Sequence, residues 1–242
     1  MKMKAKRLNL IWAVLLLFTA CGKDPLPTDV VSTASRDKDG TTYIQMVYGN
    51  GTEQYFKVLS DNTAEVVRAL DYYGIEPPIE FGSNTEVIPS EITCDGQVYT
   101  IVGIGDYAFY DRRQLSSVEI PNTVTYVGKR SFDFCLQLKT IKFPDGVTQI
   151  EQGAFRSCVE LTTVEMGSGM ASIHFDAFGD CRSLSTVVCR AVTPPEILYD
   201  VTNPSSIFWK CPISEIKVPA ESVEAYKAAP LWSAQADKIV AL

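Results

Sequence analysis

Seven cysteines and one histidine are the residues of this 242-residue chain best equipped for chemistry. Thiolates and imidazoles bind zinc, thiols pair into disulfides, and a thiol beside a histidine makes a nucleophile with its base. Each of these needs a spacing. Zinc sites built on thiolates place two cysteines a few residues apart, and Cys21, Cys94, Cys135, Cys158, Cys181, Cys189 and Cys211 contain no such pair. Cys135, Cys158 and Cys181 lie 23 residues apart instead, and Cys211 follows after 30. The lone His174 has no distinctive nucleophile or orienting carboxylate to work with. G-x-S-x-G, P-loop and paired-carboxylate motifs are absent, and the G-x-G of Gly103 and Gly105 has no helix after it, so these glycines read as turn residues. The sequence predicts no catalytic residue, no metal and no cofactor.

The interval between the cysteines belongs to the whole chain. Four 23-residue blocks begin at Ile101, Val124, Val147 and Met170 and end at Val192. A period of this length marks a solenoid, whose units bury their apolar sides only by stacking on one another. Position 9 of the block is always phenylalanine (Phe109, Phe132, Phe155, Phe178), and position 15 is always leucine (Leu115, Leu138, Leu161, Leu184). Position 4 is Ile104, Val127, Ile150 and Ile173; position 18 is Val118, Ile141, Val164 and Val187. Position 20 is Ile120, Phe143, Met166 and Cys189, and polar residues at 17 and 19 alternate with 18 and 20. That alternation predicts a short strand with one buried face, and stacking sets the strands side by side in a parallel sheet. Pro121 and Pro144 end two of these strands. Position 8 stays small (Ala108, Ser131, Ala154, Ala177), as close turn-to-turn approach requires.

The pattern I-G-x-x-A-F-x-x-C-x-x-L-x-x-V-x-I-P resembles the BspA-type leucine-rich repeat of bacterial surface proteins. The match is close over 101–192 and returns in altered form: Phe208-Trp209-Lys210-Cys211 restarts F-x-x-C seven residues late, and Ile213, Ile216, Val218 and Pro219 follow. Ser222 to Trp232 resembles the family's closing helix, with Ser222 as N-cap and Pro230 as stop. The expected fold is an α/β solenoid of leucine-rich repeats with short parallel strands, an N-terminal β-hairpin cap and a short C-terminal capping helix. Upstream, 52–59 and 63–70 flank Ser60-Asp61-Asn62 as one hairpin, and Val87 to Thr100 turns at Asp95-Gly96 as a second. Residues 41–100 read as this β cap, with a separate small β domain as the alternative.

The register explains most cysteines as packing. Cys135, Cys158, Cys181 and Cys211 share position 12, where the first block has Arg112, and Cys189 fills an inward strand position. A disulfide between stacked cysteines competes with that reading, and Cys94 is left unexplained. His174 stands at position 5, held elsewhere by Gly105, Gly128 and Glu151, and reads as a surface turn residue.

The N-terminus reads as an address. Lys2, Lys4, Lys6 and Arg7 precede an apolar run from Leu8 to Ala20 that suits a signal peptide and is short for a membrane span. Leu17-Phe18-Thr19-Ala20-Cys21 resembles a bacterial lipobox, which implies cleavage and lipidation at Cys21; an ordinary secreted protein is the alternative. The expected division is therefore 1–20 signal peptide, 21–40 solvated tether, 41–100 cap and 101–242 solenoid. Losing four basic residues takes the formal charge from −7 to −11. With no basic stripe after residue 20, nucleic acid is not an expected partner.

Binding then falls to outward strand positions. Position 17 gives Ser117, Thr140, Thr163 and Thr186, and position 19 gives Glu119, Lys142, Glu165 and Val188. These rows form a candidate face, though cross-strand pairs of hydroxyls or opposite charges also simply stabilise a sheet. The insertion 193–207 is a second candidate, with Tyr199, Asp200, Asn203 and the adjoining Trp209; Ile197, Tyr199 and Ile207 could instead seal the core. The family resemblance implies a lipid-anchored cell-envelope module, in the outer membrane, that adheres to a protein partner. Glycan capture and a purely structural envelope role are the alternatives.

Overall fold

The computed structural model describes residues 30–36, 40–48, 53–60, 62–68, 84–198 and 207–242. Each coil makes two strands, not one, and they enter two different sheets. The first strands are β7 (Gln97–Ile104), β9 (Tyr126–Val127), β11 (Gln149–Ile150), β13 (Ser172–His174) and β15 (Glu196–Leu198). They pair in parallel with Ile104, Val127, Ile150, Ile173 and Ile197 in register, all buried. The second strands are β8 (Ser117–Glu119), β10 (Thr140–Lys142), β12 (Thr163–Met166), β14 (Thr186–Cys189) and β16 (Glu215–Val218). From β10 onward these form a five-stranded sheet closed by β17 (Ile239–Ala241), and Ile141, Val164, Val187 and Ile216 align beneath it. Both rows face one shared apolar cluster. The single expected sheet is thus corrected: the first strands share one sheet, the second strands from β10 onward another, and β8 stands apart in a third, two-stranded one.

Between its two strands each coil crosses an arm, residues 105–116 in the first. N–H groups alternate there between two uses. Those of Phe109, Phe132 and Phe155 donate to the next coil's Ser131, Ala154 and Ala177 carbonyls (2.7 Å each). Those at the positions either side turn back three residues, as Ala154 does to Glu151 (3.2 Å) and Arg156 to Gly153 (3.0 Å). This geometry needs left-handed residues twice per coil: Tyr107, Arg130, Gly153 and Asp176 at one site, Asp111, Phe134, Ser157, Asp180 and Lys210 at the other, all with φ between 49° and 64°. Inside the arms the position-9 rings stack, Phe109 to Phe132 to Phe155 to Phe178 to Phe208, with centroids 4.9, 4.8, 5.5 and 6.0 Å apart. The stack crosses the insertion unbroken.

The amino-terminal end is an antiparallel meander of β1 (Val31–Arg36), β2 (Thr42–Val47), β3 (Glu53–Ser60) and β4 (Thr63–Val67). β4 pairs in parallel with β7, so cap and coils share one ten-stranded sheet and one core. The hairpin at Asp95-Gly96 joins β6 (Glu91–Cys94) to β7, both turn residues having positive φ. Val87 belongs instead to β5 (Thr85–Val87), which pairs with β8. Part of the expected tether is corrected as well: Val31–Arg36 is a strand, because the free edge of β2 offers a ladder to a polar segment with no apolar period.

Helix is scarce among the described residues, which corrects the α/β description: those of the coils carry none, and the closing segment has one six-residue α-helix, α1 (Val223–Ala228), between short 3-10 turns. Ser222 precedes it without capping it; its hydroxyl donates to the Val192 carbonyl (2.7 Å). Tyr226 donates to Ala191 (2.8 Å) and the Trp232 indole to Pro195 (2.8 Å). Three side chains therefore satisfy carbonyls at 191–195, and Trp232 meets Phe208 edge-on (6.3 Å) to end the stack.

Candidate binding face

The five-stranded sheet turns its polar side outward, and most of the predicted face lies on it. Register sets Thr140, Thr163, Thr186 and Glu215 in one row and Lys142, Glu165, Val188 and Lys217 in the next. Ser117 and Glu119 are separate: β8 ladders with β5, not β10. Val188 is buried, so the charge row is interrupted there. The hydroxyls of Thr140, Thr163 and Thr186 do not pair across strands. Neighbouring position-16 hydroxyls take the carbonyls instead, Thr162 from Lys139 (3.1 Å) and Ser214 from Ser185 (3.1 Å). The threonine row consequently keeps its donors for solvent or a ligand.

Glu165 pairs with Arg190 (3.8 Å), not with Lys142. Arg190, at a position held by proline in two other blocks, is a face residue that sequence reasoning missed. These groups rim a cavity of about 280 Å³ at the sheet's end, together with Asn122, Lys142 and Asp145. The Ser168 N–H donates to Asp145 (2.7 Å) and holds its carboxyl below the usual range. The result is an open, mixed-charge surface.

Tyr199, Asp200 and Asn203 lie outside the described residues. Trp209 is part of the fifth arm, where its carbonyl accepts the Asp180 N–H (2.7 Å) and Lys210 covers its ring (4.0 Å). Ile197 and Ile207 are buried in the core.

The thiols are packed, and the four at position 12 serve as donors, whereas Cys189 accepts from the Tyr226 hydroxyl (3.2 Å). Cys135, Cys158, Cys181 and Cys211 donate to Phe109, Phe132, Phe155 and Phe178 carbonyls at 3.3, 3.2, 3.0 and 2.9 Å. Burial pushes the Cys94, Cys135, Cys158, Cys181 and Cys189 thiols up, which disfavours the thiolate that chemistry needs. Cys94, unexplained in sequence, belongs to the apolar cluster. His174 is on β13, not in a turn, with Nε2 3.4 Å from Glu151. Gly103 is likewise a strand residue: a Cβ there would meet the Tyr126 ring, whose hydroxyl donates to Glu65. Among the described residues no group of three or more histidine, cysteine, aspartate or glutamate side chains could hold a metal ion.

A profile of the BspA type leucine-rich repeat region matches residues 102–229 in six copies. This chain belongs to that family. The matching family is a repeat family, and no curated protein sequence matches the chain. Among solved structures, the BspA-type chain is similar to a T. pallidum leucine-rich repeat protein at 23% identity, covering 70% of this chain and 69% of that one with a TM-score of 0.52. The pneumococcal vaccine antigen PcpA is similar at 15% identity, covering 78% of this chain and 51% of that one, also with a TM-score of 0.52. A leucine-rich cell surface protein of Faecalibacterium prausnitzii shares 23% identity over 79% of this chain and 50% of that one, with a TM-score of 0.48. This chain thus spans about half the length of the last two. At these identities the likeness to the first two establishes the fold alone.

Proposed function

We propose that this BspA-type protein is a lipid-anchored module of the cell envelope that binds a protein partner on the outward face of the five-stranded sheet. The observation that carries the reading is the row of Thr140, Thr163 and Thr186, whose hydroxyls are not spent within the sheet, flanked by Lys142, Glu165 and Arg190. A ladder of solvent-facing hydroxyls with charges beside it suits a protein surface that supplies backbone and side-chain partners. Residues 1–20 serve as signal peptide and Cys21 carries the lipid. Because β1 begins at Val31, the tether is about ten residues, which reaches at most ~35 Å from the bilayer. The anchor belongs to the outer membrane of an envelope, and adhesion is the activity that a surface-facing solenoid would serve.

The full chain, presented to an array of extracellular proteins, should bind at least one saturably. Lys142→Glu together with Thr163→Val should weaken that binding at least tenfold while shifting stability by less than about 0.5 kcal/mol, since neither side chain belongs to the apolar core. Binding left intact by this pair moves the site off the sheet. Cys21→Ala should release the protein into the soluble fraction, and retention in the membrane fraction would refute the anchor.

A further inference from the structure

The groups on the outward side of the five-stranded sheet differ in how far the folded chain already satisfies them. Its carboxylates are answered from within: Glu165 by Arg190 (3.8 Å), Glu215 by Lys217 (3.0 Å) and Asp145 by the Ser168 N–H (2.7 Å). Lys142 is exposed, and among the described residues none makes a hydrogen bond or ion pair with it. Behind the Ser168 N–H, Arg190 and Lys142 add only a weaker pull that holds the Asp145 carboxyl low. The hydroxyls of Thr140, Thr163 and Thr186 form the neighbouring row, with no partner inside the sheet. What folding leaves open on this face is therefore a line of hydroxyl donors with one uncompensated cation beside its first member. An anion that also carries hydrogen-bond acceptors would answer both.

We infer, resting on the sheet-face reading above, that the protein partner meets this face with an extended acidic segment, a carboxylate on Lys142 and main-chain carbonyls on the threonine row. The rungs recur every ~4.8 Å, so the three threonines span ~10 Å, the reach of about three extended residues. Other anions fit less well. A polyphosphate needs clustered cations, whereas Arg190 and Lys217 are each paired and Lys142 stands by itself. A sugar ring needs an aromatic platform for its apolar C–H face, and the exposed rings of Tyr107, Phe134 and Trp209 are on the arms. Glu119 holds the same block position as Lys142 but lies on β8, across the break in the ladder, and makes no ion pair among the described residues. Its charge opposes an acidic partner, so removing it should strengthen the contact.

The probes are three decapeptides in which glycine alternates with glutamate, glutamine or lysine, each titrated against the full chain by fluorescence anisotropy. The glutamate peptide should bind saturably, about fivefold tighter than the other two, and should lose that lead as salt is raised. Lys142→Gln should weaken its binding about fivefold with the melting temperature unchanged, and Lys142→Glu should turn the preference toward the lysine peptide. Glu119→Gln should tighten the glutamate peptide about twofold. The inference is overturned by absence of saturable binding of the glutamate peptide, by equal binding of all three peptides, or by an affinity indifferent to Lys142→Glu. Should any of these occur while a protein from the array still binds and is weakened by the Lys142→Glu and Thr163→Val pair, the sheet-face reading stands and only the acidic segment is refuted. If binding from the array also ignores that pair, both fall.

Discussion

The interior coils and the amino-terminal cap face the same difficulty, an exposed apolar edge with unsatisfied backbone, and meet it by opposite means. Within the coils each contact recurs: ring on ring, thiol to carbonyl, one N–H forward and the next one back. The cap relies on contacts made once. Glu86 is buried and receives Arg112 (2.5 Å) and Gln54 (2.5 Å), and Gln54 in turn accepts Tyr48 (2.5 Å). Arg112 sits where later coils place the thiol, so the first coil exchanges the repeat's own solution for a staple to the cap. A repeat can be stabilised by a rule, while an end needs individual residues.

The comparison can be broken most sharply in the middle of the stack. Phe155 is fully buried and stacked on both sides, so Phe155→Ala should cost about 3–5 kcal/mol in urea unfolding. It should also separate the unfolding of the two halves, which fluorescence of Trp232 against far-ultraviolet dichroism would detect. A smaller loss tests the staple. Arg112→Cys restores the repeat residue yet strands the buried Glu86 carboxylate, and should cost about 3 kcal/mol. If the variant is as stable as the parent, the cap is not held through this network.

The smallest effect has the opposite sign. Asp133 is buried, one of its oxygens has no partner, and burial pushes its carboxyl up to about 6, against the pull of Arg130 and Arg156. A carboxyl raised in the folded state favours folding with its proton on. That contribution is complete below the unfolded value near 4 and is lost as pH rises through about 6. Asp133→Asn should therefore gain about 1–2 kcal/mol at pH 7–8, and the gain should vanish near pH 4. A gain independent of pH would place its origin elsewhere.

Whatever recurs four times was legible in the sequence: the phenylalanine and leucine rows, the inward strand positions and the packing role of the cysteines. The other sheet was not, because β9 and β11 are two residues long and a period of two cannot be seen in two residues. Position 4 was visibly apolar, but nothing marked Tyr126 or Gln149 as strand. β1 escaped since its pairing is decided by the edge it meets, not by its own Val-Ser-Thr-Ala-Ser-Arg. The left-handed positions carried no glycine signature, so the exposure of Tyr107 and Phe134 became visible only in three dimensions. On the candidate face the threonine row was anticipated, whereas Arg190 replaced the expected Lys142 as partner of Glu165 through a contact between two coils.

The forward-and-back use of N–H groups in the arms also bears on how such a chain can lengthen. An interior coil gives to its successor the same donors that it receives from its predecessor, so an in-frame duplication of one coil would inherit a ready-made fit on both sides. The first coil cannot be copied this way, because a second Arg112 would find no Glu86, nor can the last, whose carbonyls are claimed by Ser222, Tyr226 and Trp232. Growth by replication is open only to the interior, and the residues that break the repeat are the ones that fix where it starts and stops.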